Sequence, residues 1–322
     1  MNPPTASIVI RTYNRLGRVD RAIDAALAQD LPEKQIIVID DGSTDGTGDT
    51  LRDRTDIEYY YQENGGLQAG RLAGLAKARG TYLAYLDSDD IWHPDFLSRS
   101  ISAIERHNAA FSIANYRKLN EYDGGDITSA ADSVPALRAL QESSGATEHA
   151  LDPDFVRRLY IFSKPSPTSS LVMRRDLIQG KWSGKALSMD DLVMIYEMIF
   201  THQPRAVLVT ERLWDKFCLP DSIAEGTRGR IWDMTWRAND YEVAYQNFHR
   251  QMMPEERAYW LTEIVENNQD LGYHYAQEGK LNEAHLHYSR AFRYQPSAKL
   301  AIAALRACVK CVLRPTGQRK TA

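Results

Sequence analysis

Residues 87–90 read Asp-Ser-Asp-Asp, three carboxylates within four positions. Carboxylates this close repel one another, and the cost persists in a folded chain mainly where a cation offsets it. Oxygen ligands in so short a loop suit Mg²⁺ or Mn²⁺ shared with substrate phosphates, although a solvated acidic turn would have the same composition. A second group, Asp40-Asp41-Gly42-Ser43-Thr44-Asp45-Gly46, closes an apolar run. Its acids can cap the next helix, or a carboxylate can accept hydrogen bonds from the base or sugar of a nucleotide. A third pair, Asp190-Asp191, precedes a helical stretch. Taken alone, that pair is most simply an N-terminal cap. The first apolar run leads into Thr12-Tyr13-Asn14-Arg15, with no glycine, and no Walker A motif occurs anywhere. Dehydrogenase and P-loop chemistry are therefore disfavoured.

These groups fall where short β-branched runs end. Residues 7–11, 35–40, 57–61, 82–86 and 110–116 read as strands, and 18–29, 47–54, 66–78 and 94–107 as the helices between them. Such alternation makes a doubly wound, mostly parallel sheet, whose ligands bind at the carboxyl ends of the strands. Residues 117–150 lose periodicity, gain Gly, Ser, Asp and Ala, and read as a loop or flap. A short helix from Asp152, a strand through 169–173, a polar loop, a helix from the third acidic pair to His202 and a strand at 205–209 follow. Beyond about Pro220 the chain turns helical. There Leu271, Gly272, Tyr275, Ala284, Tyr288, Ala291 and Pro296 resemble one tetratricopeptide repeat in order and spacing; an ordinary helical hairpin is the alternative. One repeat cannot bury its own faces, so it must pack on neighbouring helices or on a partner.

A chain of 322 residues with 43% apolar and 25% charged residues can build a proper core. Its net charge of −4 gives no overall reason to bind nucleic acid. Three cysteines are too few for a disulfide framework, and Cys308 and Cys311 form a lone pair of possible ligands where zinc needs four. With neither a signal-peptide pattern nor a membrane-spanning apolar run, the sequence points to a reduced, cytoplasmic protein. Residues 299–322 carry Lys299, Arg306, Lys310, Arg314, Arg319 and Lys320 and no acid. On a helix the first four share a face opposite Ala301, Leu305, Cys308 and Val312. Such a helix can lie on the anionic face of a membrane, bind a protein partner or pack on the repeat.

Ser-Ile-Val-Ile-Arg-Thr-Tyr-Asn-Arg from Ser7, Ile-Ile-Val-Ile-Asp-Asp-Gly-Ser-Thr-Asp-Gly-Thr from Ile36, Glu63-Asn64-Gly65-Gly66 and Leu86-Asp87-Ser88-Asp89-Asp90 resemble, in that order, the signatures of family-two glycosyltransferases of the GT-A fold. The resemblance covers about residues 5–215. It implies an α/β, GT-A type doubly wound domain over 1–219, with a nucleotide-sugar half to about 116 and an acceptor half after it. An all-helical extension over 220–322 would hold the repeat at about 265–298 and the basic tail. It further implies that Thr12, Asn14 and Arg15 line the nucleotide pocket and that Asp41 or Asp40 contacts the base. Arg71 would reach the base or phosphates, Asp87 the ribose or sugar, with Ser88 beside it, and Asp89 a Mn²⁺ or Mg²⁺ ion. Asp191 matches the family's general base, and Asp190 stands where the family usually has Glu, its role left open.

The family's processive synthases add QxxRW and membrane spans, which this chain lacks, so the resemblance implies transfer of a single sugar. The donor would be a nucleotide-diphosphate sugar, UDP-linked, and the acceptor a hydroxyl of a glycan or lipid-linked sugar in bacterial-type surface glycan synthesis. Trp182, Trp214, Trp232 and Trp236 could offer apolar faces to an acceptor sugar or could belong to the core. The rival readings are a nucleotide-sugar hydrolase or nucleotidyltransferase using the same acidic loop, and a non-catalytic scaffold acting through the helical tail.

Overall fold

The computed structural model describes residues 4–120, 126–129, 134–163, 165, 167–180, 185–187, 190–218 and 229–312. The chain divides into two compact units, one of Met1–Trp182 with Asp190–Glu225 and one of Ser183–Met189 with Gly226–Ala322.

In the first unit, β1 (Ala6–Thr12), β2 (Lys34–Asp41), β3 (Glu58–Gln62) and β4 (Tyr82–Asp87) pair in parallel. Their β-branched runs suit a sheet covered on both faces, and Ile8, Ile10, Ile37, Val38 and Leu83 are fully buried. The crossovers are α1 (Val19–Leu27), α2 (Thr47–Leu51) and α3 (Leu67–Lys77). α1 is amphipathic and buries Val19, Ala22, Ile23 and Ala26. α3 instead approaches β1 by lacking side chains, since a Cβ on Gly74 would lie 2.2 Å from Val9 Cγ1.

The chain continues through β5 (Asp90–Trp92), α4 (Phe96–Arg106), β6 (Phe111–Asn120), β7 (Asp126–Ser129), α5 (Pro135–Ser144), β8 (Glu148–Leu151) and α6 (Pro153–Phe162). A 3₁₀ turn at Thr168–Ser170, β9 (Leu171–Arg174), α7 (Asp190–His202) and β10 (Ala206–Cys218) complete the unit. The sheet order is β3-β2-β1-β4-β9-β6-β10-β5, with β7 on β6 and β8 on β10. The long pairings, including β6 with β10, are parallel; β9 is antiparallel to β4 and β6, and the short β5, β7 and β8 are antiparallel to their neighbours. This is the α/β sheet expected from the sequence.

Residues 117–150 depart from the loop expected of them. β6 continues to Asn120, α5 starts on Pro135 and buries Leu137, and β8 pairs with β10 from Ala206↔Leu151 to Val209↔Glu148. Edge pairing supplies the order that a polar composition conceals. Nor does the last strand stop at Val209. Irregularities between Val209 and Arg212 and between Arg212 and Asp215 turn β10, so that its first part takes β8 and its later part β5.

The second unit holds α8 (Gly229–Phe248), α9 (Pro254–Gln277), α10 (Leu281–Tyr294) and α11 (Ala298–Val312), each packed on the next. Met234, Ala238 and Leu271 form one apolar cluster, and Val265, Ala291 and Leu300 another. Gly272 sits where α9 meets α10, and a Cβ there would be 2.8 Å from the Tyr288 ring, the close approach that the repeat-like spacing calls for. The short Ser183–Met189 segment joins this unit through Leu187 N–H donating to Asp240 Oδ1 (2.8 Å) and Asn239 Nδ2 donating to the Lys185 carbonyl (2.8 Å). Among the described residues, no helix is long and apolar enough to cross a membrane.

Candidate active site

The polar motifs converge at the carboxyl ends of β1, β2 and β4, as a doubly wound sheet requires. After β1 the backbone turns at Asn14, whose φ of 51° is left-handed. That turn is laced to the loop after β2: Asn14 N–H donates to Ser43 Oγ (2.9 Å), Asn14 Oδ1 accepts from Thr44 N–H (2.8 Å), and Arg15 N–H donates to Thr47 Oγ1 (3.2 Å). Thr12 is fully buried at the strand end, and its hydroxyl has no hydrogen-bond partner among the described residues.

Asp40 and Asp41 face inward, and both are fully buried. Asp40 accepts from Ser43 N–H (2.9 Å) and Tyr59 O–H (2.8 Å). Asp41 accepts from Gln62 Nε2 (2.7 Å), from the N–H groups of Gly65 (2.9 Å) and Gly66 (3.0 Å), and from Arg11 (2.5 Å). The two acids expected at the base thus tie β2 to β3 and to the start of α3. Both carboxylates have their oxygens engaged inside the fold.

Ser169 organises the acidic loop. Its Oγ accepts from Asp87 N–H (3.1 Å) and donates to Asp90 Oδ2 (2.7 Å), while its carbonyl accepts from Trp92 Nε1 (2.8 Å). One residue earlier, Thr168 Oγ1 donates to Asp191 Oδ2 (2.7 Å). The Thr168–Ser170 turn, held beside β4 by the pairing of β9, therefore links the acids after β4 to the first turn of α7. Asp191 Oδ1 also accepts from Leu192 N–H (2.8 Å). The Asp190 side chain lies outside the described residues.

Charge balance in the loop comes from the chain itself. Arg71, buried on α3, meets Asp87 at 3.0 Å. Arg15 lies 3.8 Å from Asp89, and Lys216 on β10 stands directly across the strand pair from Asp90. Burial pushes the Asp90 carboxyl up to about 8, with Asp89 and Asp87 adding to the shift and Lys216 and Ser169 opposing it. Burial, then Asp87, also raises the Asp89 carboxyl against Lys216 and Arg15. For Lys216, burial works against the ammonium, but Asp90, Asp89 and Asp87 together hold its proton above the usual lysine range. The Asp191 carboxyl is raised by burial and by Asp87, while Arg71, Thr168 and Leu192 pull it back.

The repulsion read from the sequence is therefore answered by protein cations, while burial favours the neutral form of Asp90. Among the described residues no three acidic, His or Cys side chains converge on a metal position. The donor set fits a different arrangement: Asp89, neither buried against Ser169 nor held by Arg71, offers one carboxylate, and an ion shared with substrate phosphates needs only one or two.

Thr168, Ser169 and Lys216 escaped sequence reasoning. The run Pro165-Ser166-Pro167-Thr168-Ser169-Ser170 was the available signal for the turn, whereas a lysine late in a strand carries none. Of the tryptophans, Trp214 is a fully buried core residue beside Tyr116, and Trp236 is partly exposed next to Arg237; Trp182 and the Trp232 side chain lie outside the described residues.

A mostly parallel sheet with acids at its strand ends and a partly buried carboxylate linked to them defines an α/β protein with a polar site at the carboxyl edge of its sheet, and comparison with known proteins narrows the class. Residues 7–133 match the sequence profile of Glycosyl transferase family 2. An uncharacterized glycosyltransferase of Rickettsia conorii is 35% identical over 125 residues, 38% of this chain and 20% of that protein. The putative teichuronic acid biosynthesis glycosyltransferase TuaG of Bacillus subtilis is 34% identical over 126 residues, 38% of this chain and 50% of its own. The alignments thus span half or less of these relatives. Among solved structures, S. aureus TarS 1–349 in complex with UDP-GlcNAc superposes with a TM-score of 0.54 at 16% identity, covering 90% of this chain and 92% of that one. The mannosyltransferase PcManGT of Pyrobaculum calidifontis, in complex with GDP-Man and Mn²⁺, gives 0.53 at 16% identity, covering 98% and 82%. Residues 7–133 thus carry the profile of Glycosyl transferase family 2, within a first unit whose α/β fold is like that of these GT-A structures, and a helical unit follows.

Proposed function

We propose that the protein is an inverting transferase that moves one sugar from a nucleotide-diphosphate donor, UDP-linked, to an acceptor hydroxyl during synthesis of a bacterial-type surface glycan. The observation that carries this reading is the placement of Asp191, partly buried and held by Thr168, against the loop bearing Asp87 and Asp89. A carboxyl raised above its usual range is better matched to taking a proton from a hydroxyl. The acceptor oxygen, losing its proton to Asp191, would attack the anomeric carbon as the diphosphate leaves from the opposite face. Arg71, held by Asp87, and Arg15 and Lys216 beside the other loop acids supply positive charge for that diphosphate. Asp89 would hold Mn²⁺ or Mg²⁺, which offsets charge on the leaving group when bound. The UDP preference draws support from TarS, solved with UDP-GlcNAc, and the glycan role from the teichuronic acid relative.

Incubation with labelled UDP-sugars and GDP-mannose, with and without Mn²⁺, tests the reading on glycan and lipid-linked acceptors. Label on the acceptor with inverted anomeric configuration is expected. Release of free sugar alone would make the protein a hydrolase, and absence of nucleotide binding would make it a scaffold.

A further inference from the structure

The last described helix of the helical unit, α11, has two apolar sides. On α11, Leu300, Ala304 and Ala307 are buried against the preceding helices, and His285 Nδ1 on α10 meets the Ala304 carbonyl at 2.9 Å. The packed side is thus not the one that charge patterning opposes to the basic residues, because Leu305 is 62% exposed. Ile302 and Val309 are 50% and 44% exposed, and at about 100° per residue Ile302, Leu305 and Val309 form a stripe within about 60° of arc on the outward side. Lys299 and Arg306, both exposed, flank that stripe on one edge. From Lys299 to residue 322 the sequence holds six basic residues and no acid, although the whole chain carries −4.

We infer that the outward side of α11 docks on an anionic lipid surface. An in-plane helix requires an apolar strip that enters the acyl boundary and cations beside it at the level of the headgroups, and α11 presents both on its solvent side while its other side is already packed. A protein partner for the same stripe would have to place acidic groups opposite Lys299 and Arg306; an anionic leaflet offers them everywhere. The inference concerns the helical unit alone and does not rest on the transferase reading.

Co-sedimentation of the full chain with vesicles of phosphatidylcholine, alone or mixed with phosphatidylglycerol, decides it. Two variants report separately: Ile302→Ser with Leu305→Ser and Val309→Ser removes the stripe, and Lys299→Gln with Arg306→Gln removes two cations. All five positions are exposed, so both variants should melt as the wild type does. Wild type is expected to bind the mixed vesicles, lose binding at high salt, and ignore pure phosphatidylcholine. The charge variant should bind about 30-fold more weakly, and the stripe variant should lose at least as much. Failure of the wild type to bind mixed vesicles overturns the inference, as does equal binding by the stripe variant. Light scattering showing a wild-type dimer that the stripe variant dissolves would assign the stripe to a second copy instead.

Discussion

Thr168 donates a 2.7 Å hydrogen bond to Asp191 from a turn whose next residue, Ser169, is bonded to both Asp87 and Asp90. One step of backbone therefore fixes the distance between the carboxylate proposed to take the proton and the loop proposed to hold the donor. Because the bond favours the charged form of Asp191, its loss in Thr168→Val should raise that carboxyl further. The acid limb of the turnover profile should move to higher pH, with roughly a ten-fold loss on the acid side and recovery at higher pH. A uniform loss at all pH values would mean that Thr168 only shapes the turn.

Asp89 and Lys216 should act in opposite directions on a divalent cation. Asp89→Asn keeps the shape of the side chain but removes its charge, so Mn²⁺-dependent UDP binding should disappear while the melting temperature stays put. Lys216→Gln removes the resident cation opposite Asp90, so Mn²⁺ alone should bind more tightly and UDP more weakly. Calorimetric titration of each variant with Mn²⁺, then with UDP, reads both effects. Unchanged UDP affinity in Asp89→Asn removes the metal assignment.

The helical unit carries its own acid sensitivity. His287 is buried, stacks on Tyr275 and shares a 2.9 Å hydrogen bond with Asn268 Oδ1. Burial, with Arg290 nearby, lowers its pKa to about 4, against Glu283. A histidine whose folded pKa lies below its unfolded value of about 6.5 contributes stability above that unfolded value and loses it as pH falls toward the folded one. Hydrogen exchange of α9 and α10 should therefore speed up between pH about 6.5 and 4, and His287→Gln should flatten the change. An equal pH response in both proteins would exclude His287 as its source.

Gly272 tests the packing that the repeat-like spacing implies. Gly272→Val drives atoms into the Tyr288 ring and should cost about 1–3 kcal/mol, partly restored by Tyr288→Ala. Thermal unfolding of the single and double variants measures this, and an unchanged melting temperature for Gly272→Val would show that α10 gives way without cost.

Much of this architecture is written locally. Ile8, Ile10, Ile37 and Val38 announce strands through β-branched runs, and Asp41, Asp87 and Asp191 stand at the element ends where their motifs put them. What local patterning hides is pairing between distant segments. Residues 117–120 read as loop because the apolar periodicity stops there, yet Arg117 and Lys118 lie on strand β6, with Arg117 held by Asp215 nearly a hundred positions away. Lys216 reaches Asp90 only through the register of β10 with β5, and that register depends on irregularities no composition reveals. The inward turn of Asp40 and Asp41 was equally hidden, because Tyr59, Gln62 and Arg11 come from three other stretches of chain.

The central claim is that Asp191 accepts the acceptor's proton, and the paired measurement on Asp191→Asn tests it most directly. Asn caps a helix about as well as Asp, so a mere cap would leave turnover near wild type. Loss of the proton acceptor should instead lower transfer by roughly 10² to 10⁴-fold, with donor affinity by calorimetry unchanged, since Asp191 lies beyond the strands that carry the nucleotide motifs. Near-wild-type transfer by Asp191→Asn, measured with the acceptor that the wild type uses, would contradict the account.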